Sequence, residues 1–408
     1  MKTPPRDLRV LHVITRLIIG GAQENTLLSV IGQHHTPGLR VTLVTGYDDG
    51  PEGTLEDRAR EAGIDMRHMK ELVREISPLS DTLALARLTA FIRRGRYDVV
   101  HTHTSKAGII GRLAAVAART PIIVHTFHGL IFGDHATASE NAVFIGLERA
   151  CAAVAHKVID VSDATRDGAL ARGVGRRDQH VTIYSGFDIA SFLTIRDRLS
   201  VAAAKARFGL AADDLVIGKV ARLVDKKGHE YLIEAARTIA AREPRARFLL
   251  IGDGVLRQRY EAQVKELGLQ DRFVFAGLVA PTDIPAAMQA MDLLVHTSRR
   301  EGLARVIPQA EAVGKPVVSF ALDGSLDAIR DGVSGFLTPP HDPAAVAAKV
   351  LEILDDEPRR RAMGEAGRAF AAANFPVEMM VRRINEVYYE LAAARLGWHP
   401  PAAATTVT

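Results

Sequence analysis

Glu301 lies in the run Thr297-Ser298-Arg299-Arg300-Glu301-Gly302-Leu303-Ala304, just ahead of a segment with helical patterning. A carboxylate placed there can accept hydrogen bonds from hydroxyl groups. The pattern predicts a helix beginning at Leu303 or Ala304, its unpaired N–H groups and positive dipole end aimed back toward Glu301. Such a helix start is a seat for a phosphate or diphosphate. Arg222 and Lys227 close a second apolar run, Val216–Leu223, and lead into another helix. A guanidinium fork and an ammonium point charge so placed can converge on one anion. Taken alone the Arg222–Lys227 stretch reads as a solvated basic loop. Two anion-binding candidates in one chain weigh against that reading.

The first half of the chain carries other candidates. Gly20 and Gly21 fall where the strand-like run Leu8–Ile14 gives way to a helix from Ala22, and two glycines there allow close approach of backbone to a ligand. The pattern is not G-x-G-x-x-G, and no P-loop is present, so dinucleotide and P-loop readings lose support. Of the 15 histidines, 11 lie within residues 1–190. Four of them form two clusters at predicted strand ends, His101/His103 and His125/His128. Backbone-bonded structural roles are the plain reading for His101 and His125. His128, before Gly129 on a strand-end loop, suits polar recognition or proton handling, and His103 is a weaker candidate. A metal site needs three or four converging ligands, of which His-x-His supplies two, so no metal is expected.

Alternation of strands and helices positions these residues. Strands are expected at Val41–Thr45, near Met66, and at Val99–Thr102, Lys157–Val161 and Val181–Tyr184, with helices around Asp81–Arg94 and Asn141–Ala155. Ser162 reads as an N-cap. The second half repeats the theme, with a helix over Arg198–Phe208, strands at Val216–Leu223, Arg247–Gly252, Phe273–Gly277, Leu293–Thr297 and Val317–Phe320, and Asp253-Gly254 opening a helix. The pattern is that of doubly wound parallel sheets, whose ligands sit beyond the C-terminal strand ends. The expected domains are residues 1–190 and 191–376. A last helix, 377–396, is expected to cross back onto the first domain, and a tail, 397–408, is expected to be disordered.

Composition narrows the classes. A chain of 408 residues, 47% hydrophobic and 25% charged, is that of a two-domain globular protein. Its one cysteine, Cys151, excludes an internal disulfide framework and suits a reducing cytosol. The chain shows neither a signal-peptide pattern nor an apolar run of membrane-spanning length. Residues 1–190 hold 23 Lys and Arg against 21 Asp and Glu, so no half is a basic arm and nucleic acid is not an expected partner. The arginine-rich amphipathic segment Arg87–Arg96 leaves peripheral contact with an anionic membrane open.

In order and spacing, Gly20-Gly21, the run Ser105–Ala115, His125–Gly129, Ala221-Arg222-Leu223, Lys227-Gly228, Ile251–Gly254, Phe275–Gly277, Glu301-Gly302-Leu303, Gly314–Val318 and Asp331–Leu337 resemble glycosyltransferase family 4, over nearly the whole chain. The resemblance implies an α/β GT-B fold: two facing Rossmann-like domains, the second holding a nucleotide-sugar. It implies a retaining, hexose-type transferase acting on a glycan or polyprenyl-linked acceptor in cell-surface polysaccharide synthesis. Such an enzyme is expected in the cytoplasm, with possible peripheral contact at the inner face of the membrane, and needs no cofactor, the UDP- or GDP-sugar being a substrate. By position, Glu301 would hold donor-sugar hydroxyls, and Arg222 and Lys227 would neutralise the diphosphate. Gly302 and the N–H groups of Leu303 and Ala304 would meet the distal phosphate. Gly20 and Gly21 would approach the donor, and His128 would contact its sugar, with His103 and Lys106 as weaker sugar or acceptor contacts.

Two departures stand out. The family's second glutamate, eight residues after Glu301, is Gln309, which can still meet ribose hydroxyls as acceptor and donor. Glu311 lies two residues on, about 200° around a helix. The family's Gly-Gly-x-x-Glu turn appears as Asp323-Gly324-x-x-Asp327. Rival readings are a UDP-sugar 2-epimerase on the same scaffold and a non-catalytic sugar-nucleotide binder.

Overall fold

The computed structural model describes residues 6–47, 53–132 and 137–401. The chain divides into two compact units, Met1–Phe187 with Val377–Thr408, and Asp188–Pro376.

The first unit is built on seven parallel strands: β1 (Leu8–Val13), β2 (Leu39–Thr45), β3 (Asp65–His68), β4 (Val99–His103), β5 (Ile122–Phe127), β6 (Lys157–Asp160) and β7 (His180–Thr182). Their order is β3-β2-β1-β4-β5-β6-β7. The chain therefore starts in the middle of the sheet, and its direction of winding reverses between β1 and β4. That switch point is where open parallel sheets leave a crevice at their carboxyl ends. β1 is largely apolar because helices cover both faces of the sheet. Leu8, Val10, Leu11 and Val13 are fully buried.

The second unit repeats the design with six parallel strands: β8 (Leu215–Val220), β9 (Ala246–Ile251), β10 (Phe273–Gly277), β11 (Leu293–His296), β12 (Val317–Phe320) and β13 (Gly335–Thr338). Their order is β10-β9-β8-β11-β12-β13, with the switch between β8 and β11.

Several boundaries differ from the sequence expectation for local reasons. The helix after Glu301 spans Val306–Ala312, so Leu303 and Ala304 lie in the loop before it. Pro308 explains this: its ring would clash with the carbonyl of residue 304 inside a helix, so it fits only in the first turn. The helix expected over Arg198–Phe208 is trimmed to Val201–Ala206 by the Ser200 cap, whose Oγ accepts the Ala203 N–H at 3.2 Å. Asp253-Gly254 does not open a helix directly; the next one is Arg257–Glu266.

The last helix, Val377–Leu396, packs on Gly21–His34 within the first unit. The tail departs from expectation. Trp398 is only 7% exposed, joins the core beneath the last helix, and donates its indole N–H to the Arg6 carbonyl at 2.7 Å. A large apolar side chain with a satisfied N–H is ordered by burial. Residues 402–408 lie outside the described residues. No helix among the described residues is long and apolar enough to cross a membrane.

Candidate active site

In the second unit, loops leaving the carboxyl ends of β8, β11 and β12 converge. Thr297 links the first two. Its hydroxyl donates to the Gly228 carbonyl at 2.6 Å and accepts from the buried Lys219 ammonium at 2.8 Å. Gly228 adopts φ +57, and a Cβ there would lie 2.1 Å from the Thr297 carbonyl oxygen, so only glycine lets the loops meet. Arg299 reinforces the join, its N–H reaching the Lys226 carbonyl at 2.9 Å and its guanidinium reaching Asp225 and Glu230 at 2.8 and 2.6 Å.

This docking sets Lys227 against Glu301 in an ion pair, both side chains about one-fifth exposed. Burial pushes the Glu301 carboxyl up. The Lys227 ammonium is the largest influence against it, and the group is held below the usual carboxylate range. Arg222 is exposed on the same β8 loop, and its charge, with the larger effects of burial and Lys227, depresses the Lys226 ammonium.

The third loop supplies what sequence reading missed. Asp323 sits in the left-handed region at φ 48 and accepts the Glu301 backbone N–H on Oδ2 at 2.7 Å. The next residue, Gly324, lies so close to the Gly302 carbonyl that a Cβ would be 2.1 Å from it. The turn Asp323-Gly324 is thus a backrest for Glu301-Gly302. Gln309 is half-buried on the short helix, while Glu311 is fully buried, with Gly367 against its side chain. Burial raises the Glu311 carboxyl to about 8, so it stands neutral inside the unit and does not replace the missing glutamate. Lys219 and His296 were also missed. Both are buried in strands, and burial lowers them to about 7 and about 3.

In the first unit the histidines form one buried array. His128 Nε2 and His103 Nδ1 are 3.1 Å apart. His103 Nε2 and His12 Nδ1 are 2.9 Å apart, and His12 Nε2 lies 2.7 Å from Gln33 Oε1. His103 is 1% exposed between two other rings, which corrects its assignment as a sugar or acceptor contact. His128 is half-buried at the end of the array. His101 and His125 are structural: His101 meets the Tyr388 hydroxyl at 2.5 Å and Thr126 Oγ1 at 2.7 Å, and His125 meets Thr102 Oγ1 at 2.9 Å. His12, His101 and His103 place ring nitrogens within 4.8 Å of one another. Each of those nitrogens already faces another side chain, so a metal would have to displace these bonds.

Gly20 caps the helix Gly21–His34 in an extended conformation open to any residue, and a Cβ on Gly21 would meet nothing within 4 Å. A Cβ on Gly20 would lie 2.7 Å from Gln23 Oε1, so the open space at this helix start is beside Gly21. Lys106 pairs with Asp81 at 2.6 Å and donates to the Glu75 carbonyl.

Residues 201–370 match the family described as Glycosyl transferases group 1, and residues 21–186 match the Glycosyl transferase 4-like domain. The UDP-Gal:alpha-D-GlcNAc-diphosphoundecaprenol alpha-1,3-galactosyltransferase of Escherichia coli is 27% identical over 96% of this chain and 99% of its own length. A D-inositol 3-phosphate glycosyltransferase of Salinispora arenicola is 31% identical over 77% of this chain and 73% of its own. Anabaena Alr3699/HepE, solved with UDP and glucose, superposes with a TM-score of 0.75 at 26% identity, over 93% of this chain and 99% of that one. These likenesses favour sugar transfer over the epimerase and binder readings. The two Rossmann-like sheets make the fold GT-B, and the chain belongs to the glycosyltransferase 4-like family of GT-B enzymes.

Proposed function

We propose that this glycosyltransferase moves a hexose from a UDP-sugar to a lipid-linked glycan acceptor, with retention at the anomeric carbon, in the synthesis of a cell-surface polysaccharide. The Lys227–Glu301 ion pair at the carboxyl ends of parallel strands carries the reading. It holds a cation suited to a diphosphate beside a carboxylate suited to sugar hydroxyls. On donor binding, Lys227 exchanges Glu301 for the diphosphate, and Arg222 adds a second charge. The backbone N–H groups of Gly302, Leu303 and Ala304 take the distal phosphate, and Gln309 meets the ribose hydroxyls. Glu301, released from Lys227 but still held through its backbone by Asp323, accepts hydroxyl groups of the sugar. In the first unit, His128 is a polar side chain suited to a substrate hydroxyl, and Gly20 and Gly21 form a helix start suited to close backbone approach.

The bond from the anomeric carbon to the diphosphate oxygen breaks as the acceptor oxygen bonds to that carbon on the same face. The departing phosphate oxygen takes the acceptor's proton, and UDP leaves. The nucleotide-sugar is a substrate, and in this scheme the side chains and amides carry the charge without a cofactor or metal. The choice of UDP is supported by the HepE complexes with UDP and UDP-glucose and by the name of the E. coli relative.

A lipid-linked acceptor is supported by a groove of about 710 Å³ in the first unit. Its lining includes Arg16, Arg74 and Lys106, the last paired with Asp81, which also lines it, and the apolar Ile109, Leu113 and Leu147. Leu113 and Leu147 are 44% and 42% exposed. Cationic side chains beside an apolar wall suit a diphosphate head and an isoprenoid tail. The exposed Ile76 and Leu79, with Arg93 and Arg94 on the helix Pro78–Gly95, suit peripheral contact at the inner face of the cytoplasmic membrane. The test is transfer from UDP-hexoses to a GlcNAc-diphospho-lipid series of increasing chain length. A KM that falls as the lipid lengthens supports the reading; indifference to the lipid refutes the acceptor assignment.

A further inference from the structure

At the edge of the first unit's sheet where the strands begin, a cavity of about 710 Å³ is lined by six arginines: Arg6, Arg9, Arg40, Arg93, Arg96 and Arg119. Strand register and helix ends bring them there. Arg9 on β1 pairs with Arg40 on β2, so two cations stand side by side on neighbouring strands and repel each other. Arg93 and Arg96 lie at the end of the helix Pro78–Gly95, and Arg119 follows the helix Ser105–Ala117. The acids in the wall are Asp7 and Asp98. Asp98 is already committed, taking the Arg6 guanidinium at 2.7 and 2.8 Å and the Arg9 backbone N–H at 2.9 Å.

Cations at helix carboxyl ends have a plain use, since they complement the helix dipole. Arg93 fits it, donating to the Ala117 carbonyl at 2.6 Å. The rest of the set exceeds it. Arg40, Arg96 and Arg119 are exposed and make no side-chain hydrogen bond or ion pair among the described residues. Arg9 Nε is buried without a partner, and so is the hydroxyl of Thr120, a residue 8% exposed that also lines the cavity. Buried polar atoms nearly always have partners, so two orphans on lining residues point to a ligand. The backbone agrees. Arg96 and Arg119 sit in the left-handed region at φ 49 and 61. Both follow helices, where glycine takes that conformation without strain. Arginine there strains the backbone and places a guanidinium at the cavity.

We propose that this cavity binds a multiply charged phosphate group, at a site built wholly within the first unit and distinct from the Lys227–Glu301 pair of the second. Guanidinium forks meet phosphate oxygens two at a time. Such a ligand gives Arg9 Nε and Thr120 Oγ1 their partners and offsets the repulsion between Arg9 and Arg40. Two sources carry that chemistry: a soluble diphosphate, and the phosphomonoester headgroup of a lipid. The inference does not rest on the donor reading.

Calorimetric titration of the full chain with inorganic pyrophosphate, in saturating UDP, tests the soluble source. Co-sedimentation with vesicles of phosphatidylcholine, alone or with an equal part of phosphatidic acid, tests the lipid source. Binding is expected to pyrophosphate, to the phosphatidic acid vesicles in preference to phosphatidylcholine alone, or to both. Arg40→Gln should weaken it about tenfold, the effect of losing one charge-assisted hydrogen bond. Arg96→Gly and Arg119→Gly should weaken it similarly while Tm holds or rises, because glycine relieves the backbone; an arginine that served only the fold would lose Tm on removal. Lys227→Ala should leave this binding unchanged. The proposal is overturned if pyrophosphate does not bind and phosphatidic acid gives no preference, or if the three arginine variants bind as the wild type does. It is overturned equally if their binding falls only as Tm falls, or if Lys227→Ala abolishes the signal.

Discussion

The Asp323 carboxylate accepts the backbone N–H of Glu301 at 2.7 Å from a turn in the left-handed region. Where the related pattern has the first of two glycines, this chain has a side chain that braces Glu301. Asp is among the few non-glycine residues that adopt φ near 48 without large strain. Its placement exchanges some backbone freedom for a charge-assisted bond. Replacing Asp323 with Ala should lower kcat/KM about tenfold or more, since a hydrogen bond to a charged group contributes roughly 1.5–3 kcal/mol. Asp323→Asn keeps an acceptor oxygen and should retain most activity. Steady-state kinetics on the two variants checks the difference.

Lys227→Ala should cut turnover by about two orders of magnitude, the scale for losing a preorganised charge. Its pH profile should move as well. Burial raises the Glu301 carboxyl and Lys227 is the largest influence lowering it. Without Lys227 the group titrates at higher pH, so the acidic limb of the residual activity shifts upward. The limb of kcat/KM against pH reads this, and an unmoved limb would separate Lys227 from Glu301 in function.

Gln309→Glu restores the carboxylate of the related pattern on a half-buried face. It should preserve activity or tighten donor binding, read as a lower donor KM or a smaller Kd for UDP. The counterpart Glu311→Gln should leave donor KM unchanged, because Glu311 is fully buried beside Gly367.

Leu113→Asp and Leu147→Asp place charge in the apolar part of the groove on residues exposed enough to spare the fold. Each should raise KM for a lipid-linked acceptor about tenfold, the effect of losing one to two buried methylenes. Donor KM should hold. Kinetics with long- and short-chain acceptors distinguishes the two parameters.

Much of this was legible in the chain because parallel strands buried on both faces read as short β-branched apolar runs. That is how β1, β8, β9 and β12 showed themselves, and how Arg222, Lys227, Glu301 and His128 could be placed at strand ends. What escaped has physical reasons. Lys219 and His12 sit inside apolar runs, where one polar letter gives no hint that it will be buried and paired with Thr297 or Gln33. Asp323 reads as a turn residue, and its bond to Glu301 spans 22 positions. Gln33 and Asn385 are 352 residues apart, joined only because the last helix returns to the first unit. The start at Val306 follows from Pro308, a local rule that outweighs the apolar pattern. Trp398 read as part of a disordered tail, and its burial in the core of the first unit marks it as an anchor.

The central claim is that a UDP-bound hexose leaves its diphosphate and joins an acceptor on the face it left. Proton NMR of the reaction with a UDP-α-hexose and a GlcNAc-diphospho-lipid tests it directly, since the coupling at the anomeric proton reports configuration. Release of UDP and an α-linked product is expected. A β-linked product, a sugar returned as its epimer on UDP, or a bound donor that is never consumed would contradict it.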